Sequence, residues 1–180
     1  MKKNIFGFTL VELLAAIVIL GVLSTVAFTS ITRMIDSNKN KIYINDAKRL
    51  IAYVEYKFKS DKKLSKPTMG NAIVISLGYL NNQDITNGPN NGEYEKDRSF
   101  VVVKNNSGKL EYAVSLLEKL DNGGYKGLEL TKDTDFSSAS SRIHSFTEAD
   151  LVEVPDLQVS NINTILGETY ISGSISHIYS

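Results

Sequence analysis

The sequence predicts an α+β fold in which one long N-terminal helix precedes an antiparallel β-sheet. From Leu13 to Thr32, 20 consecutive residues carry no charge. In a helix a run of that length spans roughly 30 Å, the thickness of the hydrocarbon core of a bilayer. Apolar residues continue at helical spacing as far as Phe58, and short alternating runs separated by turn residues follow. We therefore expect a helix whose first half is membrane-embedded and whose second half packs on a sheet.

The second half of the predicted helix carries one apolar stripe. Its members follow the spacing i, i+4, i+7, i+8, i+11 and i+15 of an amphipathic helix; they are Tyr43, Ala47, Leu50, Ile51, Val54 and Phe58. No proline occurs before Pro67. A helix from Phe8 to Lys59 would be ~78 Å long. Such a helix is too long for one ordinary globular unit, so we expect its first half to lie in lipid or against other copies.

The middle of the chain predicts a loop and a hairpin. The apolar stretch from Asn71 to Leu80 fits a short helix or a strand, and we favour a helix. Asn81 to Gly92 is rich in Asn and Gly and predicts a loop. Phe100 to Lys104 and the alternating stretch from Leu110 to Leu116 flank the turn Asn105 to Gly108, a pattern typical of a β-hairpin.

The last third of the chain predicts two more strands. Gly127 to Thr131 has the alternation of a third strand, and the serine-rich stretch from Ser137 to Ser145 is predicted to be irregular. Near the C-terminus Ile171, Ile175 and Tyr179 recur with a period of two, which predicts a closing strand.

Composition and motifs predict no catalytic centre. The 20 basic and 20 acidic residues balance, and the chain contains no cysteine, which excludes disulfides, thiolate zinc sites and cysteine nucleophiles. Two histidines, His144 and His177, supply little for metal or triad chemistry. Asp121, Asp133 and Asp135 lack the signature of a calcium loop, and no nucleophile elbow or glycine-rich phosphate loop occurs. We expect no enzyme activity, no cofactor and no metal site.

The N-terminus allows several interpretations from hydropathy alone. Lys2 and Lys3 before the apolar run predict a cytoplasmic N-terminus and an extracytoplasmic remainder. A signal peptide cleaved after Ala27 and a plain single-span anchor both fit. Neither explains Glu12, since a carboxylate in an apolar helix costs ~2.5–3.5 kcal/mol on insertion scales and usually has a function. The simpler alternative is that Glu12 lies at the level of the lipid headgroups.

The string Gly7-Phe8-Thr9-Leu10-Val11-Glu12-Leu13-Leu14, followed by the apolar run, closely resembles the N-terminal motif of type IV prepilins and pseudopilins. The resemblance implies that a prepilin peptidase cuts between Gly7 and Phe8 and methylates the new amino group of Phe8. It also implies the pilin fold, in which a sheet wraps the second half of the helix. This chain departs from many pilins in lacking the disulfide that holds the last strand.

Together these expectations divide the chain into a leader, residues 1–7, a transmembrane and assembly half of the helix, residues 8–35, and a globular head, residues 36–180. A cut before the apolar helix keeps the anchor and leaves a charged amino group on Phe8 at neutral pH. Glu12 lies about one helical turn away and can pair with this group within one helix. In helices stacked with an axial stagger, Glu12 of one copy can instead meet the Phe8 nitrogen of the next and fix the register.

We therefore predict a type IV pilin subunit that polymerises into a surface filament for adhesion, twitching motility or DNA uptake. It is expected to be a single-pass membrane precursor with its head outside the cell, and part of an extracellular pilus after assembly. The expected partners are further copies, other pilins, the prepilin peptidase, the assembly platform and the membrane. A pseudopilin of a type II secretion or competence machine shares every N-terminal feature. The alternative of another class is a membrane-tethered surface protein that does not polymerise.

Charge is unevenly distributed along the chain. Nine basic residues oppose four acidic ones from Asp36 to Thr68, whereas four oppose eleven from Leu110 to Ser180. These regions of neighbouring copies can attract each other, although a solvated helix face is the simpler interpretation. Nucleic acid is not an expected partner of the five lysines that are most closely spaced, which are Lys57, Lys59, Lys62, Lys63 and Lys66.

Overall fold

The computed structural model describes residues 7–151 and 157–161. The chain divides into two compact units, residues 1–38 and residues 39–180, and the second is called the globular unit below. Helix α1, Leu10–Ser60, is continuous over 51 residues. This confirms the predicted long helix, and its beginning and end lie within two residues of the predicted ones.

Within the described residues, a sheet of seven antiparallel strands follows the helix. Its elements are β1 (Asn71–Ser76), the short helix α2 (Leu77–Leu80), β2 (Glu93–Tyr94), β3 (Phe100–Asn106), β4 (Lys109–Lys119), β5 (Tyr125–Lys132), β6 (Ile143–Phe146) and β7 (Leu157–Asn161). The strands lie in the order β6-β5-β4-β3-β1-β7, and β2 pairs with β4. Short 3-10 turns cover Asp133–Asp135, Ala139–Arg142 and Glu148–Asp150. The predicted α+β architecture is confirmed.

The helix stripe forms the core with one face of the sheet. Tyr43, Ala47, Leu50 and Val54 are fully buried, and Ile51 and Phe58 pack partly buried beside them. The facing side chains from the sheet are Ile73, Ile75, Val101, Val103, Tyr112, Val114, Leu116 and Leu128. Complete burial of one such aliphatic side chain stabilises the fold by roughly 1.5–3 kcal/mol. The amphipathic spacing therefore predicted the correct face of the helix.

The hairpin predicted around Asn105 to Gly108 is formed by β3 and β4. Asn106 pairs with Lys109, so the connection consists of Ser107 and Gly108 alone. Both have positive φ angles, 53° and 92°, as a two-residue turn of type I′ requires. The Asn105 side chain completes the turn by accepting a hydrogen bond from the Gly108 nitrogen at 2.9 Å.

The helix favoured for Asn71 to Leu80 is wrong over its first six residues. These residues form β1, which pairs with β3 on one side and β7 on the other. Ala72 to Ser76 are all buried, and a strand buried on both faces has a continuous apolar run instead of an alternating one. Only Leu77–Leu80 is helical, and the Ser76 hydroxyl caps it by accepting from the Tyr79 nitrogen at 3.0 Å.

The serine-rich stretch from Ser137 to Ser145 is less irregular than predicted. Its first half contains the 3-10 turn Ala139–Arg142, but its second half belongs to β6, which pairs with β5. The predicted third strand is confirmed as β5, with wider limits. The closing strand predicted at Ile171, Ile175 and Tyr179, and also His177, lie outside the described residues.

Candidate functional site

The predicted cleavage site lies just outside the long helix. Gly7, Phe8 and Thr9 have no regular secondary structure, and α1 begins at Leu10. The Phe8 side chain is 82% exposed, and a Cβ placed on Gly7 would have no atom within 4 Å. Exposed, irregular backbone is the form in which proteases attack a chain. The bond between Gly7 and Phe8 is therefore accessible to a peptidase.

Glu12 forms a capping box with Thr9 at the start of α1. Glu12 Oε2 accepts hydrogen bonds from the Thr9 nitrogen at 2.9 Å and from Thr9 Oγ1 at 2.8 Å. In return, the Glu12 nitrogen donates to Thr9 Oγ1 at 3.2 Å. This reciprocal arrangement of a threonine and a glutamate three residues later satisfies two free donors at a helix start. Our sequence analysis missed it, although the pattern Thr-x-x-Glu before an apolar run is its usual signal.

The cap places the Glu12 carboxylate where negative charge is favoured. The N-terminus of a helix carries a partial positive charge from its aligned peptide dipoles. Both bonds from Thr9 end on Oε2, and no bond to Oε1 occurs within residues 7–151. Glu12 therefore retains an acceptor for a further donor. The pairing with the amino group of Phe8 in another copy, and the roles of Gly7 and Phe8 in cleavage and methylation, stay predictions.

The first part of α1 presents apolar side chains on all sides. Every large apolar side chain from Phe8 to Ile35 is exposed, by 47 to 82%. The helix is long and apolar enough to cross a membrane. Five hydroxyls on it donate to carbonyl oxygens three or four residues earlier, at 2.7–3.1 Å; they belong to Ser24, Thr25, Thr29, Ser30 and Thr32. These hydroxyls need no partner from lipid, so the segment can enter an apolar environment.

Residues 2–28 match the family model of the prokaryotic N-terminal methylation motif. The chain carries the type IV pilin and pseudopilin signature. A search among curated proteins and a search among solved structures found no significant match. The signature contains Gly7, Phe8 and Glu12 and ends within α1. The long helix followed by an antiparallel sheet is likewise a pilin-like architecture, and an apolar N-terminal helix indicates the membrane anchoring of a pilin-like precursor.

The globular unit of this pilin-like chain is organised around a buried carboxylate that sequence analysis missed. Glu118 on β4 is 0% exposed. It accepts hydrogen bonds from the Tyr43 hydroxyl, from the Asn90 nitrogen at 2.8 Å and side-chain amide at 2.9 Å, and from the Gly92 nitrogen at 2.8 Å. No cation pairs with Glu118 among residues 7–151. Because a buried charge must be compensated, these four donors replace a counter-ion.

Two glycines let the loop between α2 and β2 approach Glu118 closely. A Cβ on Gly88 would overlap the Glu118 side chain, and a Cβ on Gly92 would overlap the main-chain oxygen of Lys119. The Asn-Gly pairs that predicted only a loop are therefore also contact points with β4. The loop between α2 and β2 is thus held against β4 by the hydrogen bonds that Glu118 accepts from it.

A second acidic side chain adjoins this cluster. The Tyr94 hydroxyl donates to Asp46 Oδ2 at 3.0 Å, and Arg49 pairs with Asp46 Oδ1 at 3.2 Å. Burial raises the pKa of Asp46, although the contacts with Tyr94 and Arg49 act in the opposite direction. The rings of Tyr43 and Tyr94 meet edge to face at 6.1 Å. Helix α1, strand β2 and strand β4 are thus joined by two linked tyrosine and carboxylate pairs.

We expect the globular unit to lose stability as the pH rises from ~10 to ~12. Burial and nearby carboxylates raise the pKa of Tyr43 and Tyr94 well above the ordinary tyrosine value, and burial together with Glu55 raises the pKa of Tyr112 to about 12. A folded-state pKa above the unfolded value means that the neutral hydroxyl stabilises the fold. This contribution is complete below pH ~10 and is lost as the pH rises toward the folded-state pKa.

Tyrosinate absorbance and circular dichroism of the full chain in detergent measure this loss together. We expect the buried tyrosines to ionise only as the sheet unfolds. Tyr112→Phe should reduce the dependence on pH, whereas the matched change at an exposed ring, Tyr56→Phe, should not. Ionisation of all tyrosines in one step near pH ~10 with an intact sheet would contradict the prediction.

The remaining described acidic and histidine residues that the sequence offered as candidate metal ligands lie in ordinary structural surroundings. Within residues 7–151 and 157–161, no three side chains of His, Cys, Asp or Glu are grouped so that they can hold a metal ion. Asp133 and Asp135 lie in a 3-10 turn. His144 stacks on Phe146 with ring centres 4.4 Å apart, and its Nε2 is 3.7 Å from Glu129.

Proposed function

We propose that this chain is a type IV pilin subunit that is cut between Gly7 and Phe8, methylated at Phe8 and polymerised into a surface filament. One observation carries the proposal: the methylation signature coincides with an exposed, non-helical Gly7–Phe8 bond directly before an apolar helix. A cut at this bond removes Lys2 and Lys3 and leaves the apolar helix on the mature chain. The product is a membrane-held subunit without its cytoplasmic basic residues.

The charge pair at the new N-terminus gives the subunits a register. After the cut, the amino group of Phe8 and the carboxylate of Glu12 are opposite charges at the edge of an apolar helix. Each is costly there without a partner. Thr9 occupies only Oε2 of Glu12, so a Phe8 nitrogen of a neighbouring copy can be accepted by Oε1. Subunits stacked at any other axial offset would leave both charges without a partner in the neighbouring copy.

The apolar helix supplies the attraction between subunits. A fully buried large aliphatic side chain contributes roughly 1.5–3 kcal/mol relative to exposure in water. Sixteen large apolar side chains are exposed between Phe8 and Ile35, which is why this part of the chain needs lipid before assembly and other helices afterwards. The partners in this scheme are further copies, other pilins, the prepilin peptidase and the assembly platform. The subunit is a membrane precursor first and an extracellular component after assembly.

Mass spectrometry of the mature N-terminus tests the proposal. We expect the chain purified from cells that contain a working prepilin peptidase to begin at Phe8 and to carry one added methyl group. A chain that still begins at Met1 would identify a plain anchor, and one that begins at Phe28 would identify an ordinary secreted protein. Either result would overturn the pilin assignment.

Electron microscopy of sheared surface material then separates the two kinds of filament. A pilin gives long fibres, whereas a pseudopilin of a secretion or competence machine gives a short one. Both carry the signature found in residues 2–28. A processed chain that never yields fibres would favour the membrane-tethered, non-polymerising alternative.

A further inference from the structure

A cluster of lysines lies where α1 ends. Lys57, Lys59, Lys62, Lys63 and Lys66 fall within ten residues, and all except Lys57 are exposed. Lys57 Nζ lies 5.6 Å from the centre of the Tyr53 ring. None of the five forms an ion pair within residues 7–151. The helix dipole favours lysines in the last turn of a helix. This accounts for the positions of Lys57 and Lys59 but not for those of the other three lysines.

Two of these lysines border a groove in the globular unit, called the lysine groove below. It has a volume of about 310 Å³ and is lined by Glu55, Phe58, Lys59, Lys66, Leu110 and Tyr112. Phe58 and Leu110 are half-buried and Tyr112 is buried, so they form an apolar floor. Lys59 and Lys66 are exposed at its rim. An apolar floor between two ammonium groups fits a peptide in which apolar and acidic side chains alternate.

The chain itself contains a segment of this composition. Residues 148–157 read Glu-Ala-Asp-Leu-Val-Glu-Val-Pro-Asp-Leu, with four acidic residues between apolar ones. No Lys or Arg follows Arg142. Glu148 and Asp150, at the described start of this acidic segment, are both exposed. Glu148 pairs with Arg98 at 3.3 Å and Asp150 accepts from Thr147. Glu153 and Asp156 are therefore the acidic residues that we assign to a contact with the lysine groove.

The described start of the acidic segment lies at the end of the sheet remote from the lysine groove of the same chain. Leu110 and Tyr112 place the groove near the Lys109 end of β4, and the strand extends roughly 33 Å to Lys119. Phe146, just before the acidic segment, pairs with Tyr125, which itself pairs with Lys119.

The other end of the acidic segment, Leu157, also lies at the end of the sheet remote from the groove. Leu157 pairs with Ile75, and β7 runs antiparallel to β1 toward Asn71. The chain therefore enters β7 from the side of the sheet that is remote from the groove. Both described ends of the acidic segment therefore lie at the end of the sheet remote from the groove of the same chain, which favours the groove of a different molecule.

We propose that the lysine groove of one subunit binds the acidic segment, residues 148–157, of a second copy of this chain. The inference rests on the proposed polymerisation and adds a contact between globular units to the contact between apolar helices. A second copy is favoured over nucleic acid because the floor of the groove is apolar. The apolar side chains of the acidic segment can cover this floor, whereas a phosphate backbone would leave it uncovered.

Disulfide cross-linking in assembled filaments tests this contact, because the chain contains no natural cysteine. We expect filaments of the double variant Lys59→Cys, Glu153→Cys to give a ladder of dimers, trimers and higher species after oxidation. Either single variant should lack species beyond the dimer. The matched pair Lys59→Cys, Asp121→Cys moves the acidic partner to a distant turn and should give no ladder.

The outcomes separate this contact from polymerisation itself. Filaments of normal yield without a ladder, or a disulfide within one chain, would overturn the groove contact and leave the pilin assignment standing. A failure of the unsubstituted chain to form filaments would overturn the pilin assignment instead. Retention of single-stranded DNA by filaments, lost in Lys59→Gln together with Lys66→Gln and accompanied by no ladder, would assign the groove to nucleic acid.

Charge exchange provides a second readout that needs no oxidation. Lys59→Glu with Lys66→Glu should release subunits from sheared filaments at low salt, because like charges then face each other. Adding Glu153→Lys and Asp156→Lys should restore filament yield. A loss of filaments that this exchange does not repair would contradict the contact.

Discussion

Replacing Glu118 by alanine is expected to lower the free energy of unfolding of the globular unit by roughly 3–5 kcal/mol, since each orphaned buried donor costs ~1–3 kcal/mol. The change removes the acceptor of Tyr43, Asn90 and Gly92 at once and leaves a cavity on β4. The shift in the urea midpoint of the full chain in detergent measures the loss, with circular dichroism of the sheet as the signal.

Two further variants isolate the cause of this loss. Glu118→Gln keeps an oxygen for the Asn90 and Gly92 nitrogens, so it should destabilise less than Glu118→Ala. Glu111→Ala, on the same strand but half-buried, controls for loss of a glutamate side chain at the surface. If Glu118→Ala costs no more than Glu111→Ala, the buried network does not stabilise the fold.

Replacing Glu12 by valine is expected to abolish filaments while the precursor is still inserted and cut. Valine is apolar, so insertion into lipid is unimpaired, and Gly7 and Phe8 are unchanged. The mature amino group would then lack its carboxylate partner in the neighbouring copy. The amount of subunit in the sheared surface fraction, compared with the membrane fraction, measures the effect. Filaments of normal yield would refute the register function of Glu12.

The capping box allows the charge of Glu12 to be separated from its role at the helix start. Glutamine also completes a capping box, so Glu12→Gln keeps the cap and removes the charge. Thr9→Val does the reverse, at a cost of about 1 kcal/mol in helix stability. If the charge fixes the register, Glu12→Gln fails as Glu12→Val does, and Thr9→Val still assembles. Normal assembly of Glu12→Gln would reduce the role of Glu12 to capping.

Features of the fold that depend on local spacing could be predicted from the sequence. The helix stripe from Tyr43 to Phe58 is visible as a repeat of apolar residues three or four positions apart. The turn at Ser107 and Gly108 is visible in the identity of neighbouring residues. Strand β1 could not be identified in the same way. Its partners in the sheet, β3 and β7, are distant in sequence, and its side chains are buried on both faces, so its apolar run lacks the alternation that distinguishes a strand from a helix.

The functional residues divide in the same way. The pilin signature and the pattern from Thr9 to Glu12 lie within a short stretch, so both have a local signal in the sequence. The network of Glu118 has no local signal. Its donors lie 26, 28 and 75 residues away, and two of them are main-chain nitrogens, which side-chain identity does not reveal. In the sequence, Glu118 beside Lys119 is typical of the polar end of a strand.

The hydroxyls of the apolar helix affect how easily it changes surroundings. Because Ser24, Thr25 and Ser30 are already bonded to their own main chain, transfer from lipid to a bundle of like helices breaks no polar bond and requires no new one. The two states then differ chiefly in how well side chains interlock and in whether the terminal charges find each other. A reversible exchange between membrane and fibre is therefore compatible with an unaltered helix.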